Sequence, residues 1–384
     1  MKRYALLALI HFATFSALFA QITPIDSPYF QEGSYQVIAE SDNTVNPTVF
    51  TFRPDAQVGE TFPVFFFQLG ANGFGSSVIN ANTYDLYLEH LASYGYIVIL
   101  VNSATGGFPN GAVYQDTYDW YVDKLADGNH WMSTFANPAS VAIGGHSLGG
   151  VQASAFLVNH QSEIGGIVYF ASFPSQGILG IGAHNVANYS GNVLSIAGIE
   201  DEDSTPAECR EGYDEFTSAT CRYWVLIDGM GHAGFGDYET ASQLVGSIGR
   251  TDATASVRHY LVSFMEHTFK SDPAAELNLK TQSLRPNTEE EFETNCPALL
   301  TNLTENIESD LSIYPIPFHD FVRVEWENKG IINVQVSSLD GRVVAHQIIN
   351  NKQSINLQHL ASGSYAIRLF AQDGEMRSIL VLKD

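Results

Sequence analysis

Residues Gly145-His146-Ser147-Leu148-Gly149 set a serine between two glycines, one glycine after the apolar run Val141-Ala142-Ile143. A serine placed on a tight strand-to-helix turn is lifted clear of the sheet, and bulky flanking side chains would strike the strand and the helix, so both flanks must be small. The stretch 151–158 (VQASAFLV) continues with helix-forming spacing. Such a hydroxyl is a weak nucleophile near neutral pH and needs a base within hydrogen-bond reach, itself oriented by a carboxylate. After the serine this chain offers first an acid and then a histidine, each just past a strand-like run. The strand pattern 192–197 (NVLSIA) ends in Gly198-Ile199-Glu200-Asp201, and the strand pattern 223–227 (YWVLI) runs into a glycine-rich loop holding His232. Asp201 is taken as the acid, with Asp203 as the alternative and Glu200 adjacent. A solvated acidic loop is the plain reading of the same residues. His146 competes with His232 by proximity, but a residue beside the nucleophile points away from it in the turn, so His146 is read as structural. Developing negative charge needs backbone N–H donors. These are assigned to Leu148, directly after the serine, and to Ala71 in the loop after the strand 63–67, with Asn72 as a shift by one. Phe74, Phe173 and Phe235 lie close in sequence to these loops, and are read either as the lining for an acyl or aromatic substrate group or as core aromatics.

The positioning elements follow from periodicity. Residues 33–54 read as an antiparallel pair. Strands 63–67, 96–102, 141–143, 166–171, 192–197 and 223–227 then alternate with helices near 84–94, 113–126 and from Ser147, and a helix over 254–269 closes the series. This alternation predicts an α/β fold, a doubly wound and mostly parallel sheet with helices on both faces. Ligands bind beyond the carboxyl ends of such strands, where Ser147, Asp201 and His232 all fall. The Gly-rich gap between Phe173 and Ser190 predicts an open, shallow cleft with no large lid. Residues 271–310, with Pro, Asn, Thr and the run Glu289-Glu290-Glu291, read as a linker. From 311 to 384 the period changes to two, with short strands at 321–326, 332–336, 355–357, 365–369 and 379–382. This predicts a small all-β sandwich.

Composition sets the compartment. The chain has 384 residues with 18 basic and 42 acidic side chains, a formal net charge of -24, so nucleic acid is excluded as a partner for want of a basic surface. Residues 1–20 read as a signal peptide: Lys2-Arg3, an apolar segment over 4–15, then small residues up to Ala20. No apolar run is long enough to span a membrane, so an exported monomer is expected. Export permits disulfides. Of the three cysteines, Cys209 and Cys221 flank a short loop and are expected to pair, with Cys296 left free or partnering one of them. The chemistry calls on no cofactor and no metal.

Several stretches carry a resemblance: 62–71 (FPVFFFQLGA), Tyr84-x-x-Tyr-Leu-x-x-Leu-Ala-Ser-Tyr-Gly-Tyr96, GHSLGG at 145–150 and GMGHAGFGDY at 229–238. Across 33–270 the chain resembles the α/β-hydrolases, and within them the branch of dienelactone-hydrolase-like, chlorophyllase-like and cutinase-like polyester hydrolases. It departs from them at Leu69, where relatives often carry His or Pro. The resemblance implies a catalytic domain over 21–270 and a secreted serine esterase acting on carboxylic esters, among them polyester or cutin-like polymers, with short-chain esters as the alternative substrate. A reading from another class is a non-catalytic surface-binding protein on the same fold. The tail, through Tyr314-Pro315-Ile316-Pro317-Phe318, Asp340-Gly341-Arg342, 360–366 (LASGSYA) and Lys383, resembles the C-terminal sorting domain of type IX (Por) secretion. That implies the secretion machinery as a partner and a cell-surface or secreted location. A carbohydrate-binding module using Trp326 and Tyr365 is the alternative for the tail.

Overall fold

The computed structural model describes residues 21–71, 78–102, 111–174, 184–297, 311–338, 343–371 and 376–383. The signal-peptide reading at 1–20 lies outside these residues, as do Asn72 and Phe74. The first unit is a nine-stranded sheet. Its strands are β1 (Val37–Asp42), β2 (Val49–Pro54), β3 (Phe62–Gln68), β4 (Ile97–Val101), β5 (Ala136–His146), β6 (Gly166–Phe170), β7 (Asn192–Gly198), β8 (Cys221–Ile227) and β9 (Glu289–Thr294). They lie in the order β1-β2-β4-β3-β5-β6-β7-β8-β9. β4, β3, β5, β6, β7 and β8 pair in parallel, while β1, β2 and β9 are antiparallel additions at the two edges. The helices are α1 (Asp85–Ser93), α2 (Ala112–Ala126), α3 (Trp131–Phe135), α4 (Leu148–His160), α5 (Pro206–Asp214), α6 (Arg250–Lys270) and α7 (Pro273–Lys280).

Strand alternation feeds two cores. Phe65, Phe67, Val98 and Leu100 face the α6 side, and Val64, Phe66, Ile97, Ile99 and Val101 face the side of α2 and α4. Because both faces are covered, β4 is apolar at every position and β3 at all but Gln68, as buried parallel strands require. Each large side chain so buried contributes about 1.5–3 kcal/mol relative to exposure. The chain passes from β3 outward to β4 and returns to the other side of β3 as β5. That reversal opens a crevice at the carboxyl ends of β3 and β5, where Gln68 and Gly145 are register partners.

Part of the stretch read as a linker is built into this unit. α7 and β9 fall within 271–310, and β9 pairs with β8 from Tyr223↔Thr294 to Ile227↔Glu289. Alternation explains the misleading composition. Phe292 packs against the core, whereas Glu291 and Glu293 point outward to Arg210. Charged side chains on an exposed edge strand also protect it from pairing with another chain.

The tail forms two antiparallel sheets. One holds β10 (Leu311–Tyr314), β11 (Phe321–Trp326) and β14 (Ser354–Asn356). The other holds β12 (Ile331–Ser338), β13 (Val343–Asn350), β15 (Gly363–Ala371) and β16 (Met376–Lys383). Val322, Val324, Ile332, Val334, Val336, Ile367 and Leu369 fill the space between them. Trp326 lies in the same core and Tyr365 is buried, so neither forms an exposed platform for sugar.

Candidate active site

Ser147 sits on the turn between β5 and α4 with φ 52° and ψ -127°. A non-glycine residue in that region costs on the order of 1–3 kcal/mol and persists only where its surroundings enforce it. Here they do. The Ser147 amide donates to the Phe170 carbonyl at 2.9 Å, and Ser172 Oγ donates to the Ser147 carbonyl at 2.5 Å. A Cβ on Gly145 would lie 2.4 Å from the Gly149 backbone, and one on Gly149 2.3 Å from the Gln68 carbonyl. The glycines are thus fixed by backbone crowding, as the motif predicts. Ser147 and Leu148 are both half-buried. Leu148 opens α4, so its N–H is one of the unsatisfied amides at a helix start.

His232 begins a single 3-10 turn, His232–Phe235, in the loop after β8. Its Nδ1 lies 2.8 Å from Asp201 Oδ2. The other oxygen, Oδ1, accepts the amides of Asp203 at 2.9 Å and Ser204 at 2.8 Å. Asp201 is therefore held by three contacts while nearly excluded from solvent, at 3% exposure. Asp203 instead accepts from Gln243 Nε2 at 2.7 Å, and Glu200 accepts the Ser247 amide at 2.8 Å. Of the three neighbouring carboxylates, Asp201 is the one that reaches His232. The ring of His146 lies 4.5 Å from that of His232, centroid to centroid, which brings His232 beside the residue preceding Ser147. Ser147 Oγ makes no hydrogen bond within 3.5 Å among the described residues. Nucleophile–base contacts are commonly loose before substrate binds.

Ala71 follows Gly70 at the end of β3 and is half-buried. Phe173 is 5% exposed and packs with Cys209, Tyr213 and Trp224. Phe235 is fully buried and stacks on His146 and Phe170, with centroids 5.7 and 5.8 Å apart. The packing supports the core-aromatic reading of both, with Phe235 forming the floor beneath the histidines.

The structure corrects the disulfide. Cys221 at the start of β8 pairs with Cys296, just beyond β9, and Cys209 is a buried free thiol. Cys209 lies on α5, inside the cluster of Tyr213 and Trp224, with its Sγ 3.5 Å from the Ser204 carbonyl. Burial raises its thiol pKa well above the usual range, with Asp201 and Glu208 adding to the shift. The pairing of β8 with β9 brings Cys296 to Cys221, and short sequence separation had no part in it.

Two supports have a role that the sequence does not reveal, although Tyr84 opens one of the stretches that carry the resemblance. Arg250, at the start of α6, donates to the carbonyls of Ala233, Gly236 and Tyr238 and so pins the loop that carries His232. Tyr84 bonds both Gly70 and His146. No spacing marks either residue, because each acts on a loop distant in sequence.

Residues 73–247 match the alpha/beta hydrolase family, and residues 312–383 match the secretion system C-terminal sorting domain. The first match contains Ser147, Asp201 and His232, and the second covers the tail sheets. No curated protein matches the chain. An alpha/beta hydrolase domain followed by a sorting domain is thus present, and the tail indicates export by type IX secretion to the cell surface or beyond. No helix among the described residues is long and apolar enough to cross a membrane.

Proposed function

We propose that this chain is a secreted serine hydrolase of carboxylic esters. The observation that carries the reading is the His232–Asp201 pair, at 2.8 Å, together with a serine held at positive φ on a strand-to-helix turn whose neighbour His146 packs on His232. Ser147 Oγ attacks the ester carbonyl while His232 Nε2 takes its proton. Asp201 holds the Nδ1–H tautomer and stabilises the imidazolium. The amides of Leu148 and Ala71 receive the oxyanion. The proton then passes to the leaving alcohol, and water repeats the sequence on the acyl-enzyme.

Apolar side chains stand exposed around these loops. Leu244, whose carbonyl accepts the amide after His232, is 56% exposed, Ile199 ahead of Asp201 is 38%, and Val78 beyond the Ala71 loop is 40%. Their position, together with export, favours an apolar acyl substrate and makes polyester or cutin-like surfaces reasonable polymeric substrates.

The test is hydrolysis of a nitrophenyl ester series by the whole chain and by Ser147→Ala, with labelling by a fluorophosphonate. Turnover and labelling at Ser147, both abolished in Ser147→Ala, are expected. Turnover that survives the substitution refutes the assignment of the nucleophile. A chain that neither labels nor turns over any ester overturns the hydrolase reading in favour of a surface-binding protein on the same fold.

A further inference from the structure

We propose that Tyr84 and His146 are positioning residues that hold the oxyanion loop against the nucleophile turn, an inference that rests on the hydrolase reading above. The Gly70 amide donates to Tyr84 Oη at 3.1 Å, and Tyr84 Oη lies 2.8 Å from His146 Nδ1. A phenol has one proton to give. Its oxygen already accepts from Gly70, so that proton goes to His146, whose Nδ1 must be bare. The network therefore assigns His146 as the neutral Nε2–H tautomer. Burial holds its pKa well below the usual range. The nearby His232 charge lowers it further, and only the His232 backbone opposes the shift. His146 thus remains an acceptor when His232 becomes charged, and places no like charge beside it.

Placement gives the contact its consequence. Gly70 precedes Ala71, the proposed second oxyanion donor, and His146 precedes Ser147. The relay joins the two segments one residue before each catalytic position, so it fixes the spacing between the Ala71 amide and the serine. The fit is tight, since Tyr84 and His146 are both 0% exposed. A Cβ at position 70 would lie 2.8 Å from His146 Nδ1 and 3.0 Å from Tyr84 Oη. The same imidazole packs on His232 and Phe235, so one ring serves the donor loop, the turn and the base.

Tyr84→Phe removes the relay atom, His146→Leu removes the acceptor, and His146→Asn returns an amide oxygen near the place of Nδ1. On nitrophenyl acetate, with active sites counted by fluorophosphonate titration, Tyr84→Phe and His146→Leu should lower kcat per titrated site about 10–100-fold. KM should stay within about threefold, and His146→Asn should recover most of the loss. Amide hydrogen exchange at Gly70 and Ala71 should accelerate in the first two variants. A packing role alone would reduce the titratable fraction and Tm and leave kcat per titrated site unchanged, which would overturn the proposal. Unchanged Gly70 exchange in Tyr84→Phe would overturn it as well. If the unmodified chain takes up no phosphonate at Ser147, the hydrolase reading falls, and Gly70 exchange still decides whether the relay exists.

Discussion

Lowering the pH from 7.5 to 5.5 should weaken the hydrolase domain by about 3 kcal/mol, through three buried histidines. Burial pushes His90 and His259 down to about 3, with Arg258 adding to the shift at His90 and Arg285 at His259, and it pushes His146 well below its ordinary value. His259 accepts from Ser27 Oγ at one ring nitrogen and faces the Asn278 carbonyl at the other, and His90 Nε2 donates to the Tyr29 carbonyl. All three stay neutral when folded across this range, whereas in the unfolded chain they titrate near 6.5. A depressed folded pKa means stability that is complete above the unfolded value and lost as pH falls below it. Each histidine forfeits about 1.4 kcal/mol at pH 5.5 through proton uptake on unfolding, so the three together forfeit about 4 kcal/mol. Asp85 opposes this. Burial and Glu89 raise it to about 6, so it gains a proton in the folded state first. Its half-exposed position limits that gain to less than about 1 kcal/mol. Glu266, raised by burial, acts in the same direction as Asp85. Urea unfolding followed by tryptophan fluorescence measures the balance, and at a slope of about 3 kcal/mol/M the midpoint should fall by about 1 M. His259→Gln should flatten the dependence by about 1.4 kcal/mol over the same interval, even if it weakens the domain at pH 7.5. A midpoint at pH 5.5 equal to or above that at pH 7.5 would refute the neutral assignment of these rings.

Four further outcomes follow from named contacts. Asp201→Asn should lower kcat by about 10⁴, because the wrong histidine tautomer is then favoured. Asp203→Asn, at a side chain that accepts from Gln243 and does not reach His232, should stay within about threefold on the same ester assay. Cys296→Ser opens a loop of 75 residues and should cost up to about 4 kcal/mol on the loop-entropy account, read as a lower urea midpoint. Cys209→Ala should leave the disulfide intact, and thiol titration of the denatured, unreduced protein should find one reactive cysteine before the substitution and none after it.

The parallel sheet was legible because its strands are short, apolar and evenly interrupted, and because a strand buried on both faces, such as 97–101, has few alternative readings. The serine, acid and histidine were legible as an order, each just past a strand end. Asp201 was preferred to Asp203 from its place at the strand end, and the two are told apart only by which backbone amides and which ring they face. β9 was hidden by its own surface. Four of the five residues Glu289 to Glu293 are acidic, and composition alone reads such a run as solvated linker. Only pairing with β8 shows that Phe292 is the inward position. The cysteines misled for a related reason. Nearness along the chain favoured Cys209 with Cys221, but α5 turns Cys209 into a satellite core while β9 delivers Cys296 to β8. The role of Arg250 was invisible because it binds backbone carbonyls, which leave no trace in residue type, and that of Tyr84 because its partners, the Gly70 amide and the His146 ring, meet only in the fold.

These misses converge on one physical point about the base. His232 lies in a loop with little regular structure of its own, between β8 and α6. β8 is tied at its start to Cys296 and along its length to β9, while Arg250 at the head of α6 binds three carbonyls around the histidine turn. Tyr260 on α6 donates to Glu289, and Arg285 pairs with the same carboxylate, so α6 and β9 brace each other. The segment after α6 therefore completes the scaffold that holds His232, the proposed base. We accordingly place the end of the catalytic unit near Cys296, well beyond position 270, with the sorting domain following from 311. Truncation at 270 would remove β9 and Cys296 together. It should lower stability beyond the single Cys296→Ser substitution, since it also exposes the β8 edge and leaves Tyr260 without its acceptor. Removal of 311–384 should leave both stability and ester turnover unchanged. Paired urea melts of the two truncations decide this, and a chain ending at 270 that matched the unmodified chain would refute the boundary.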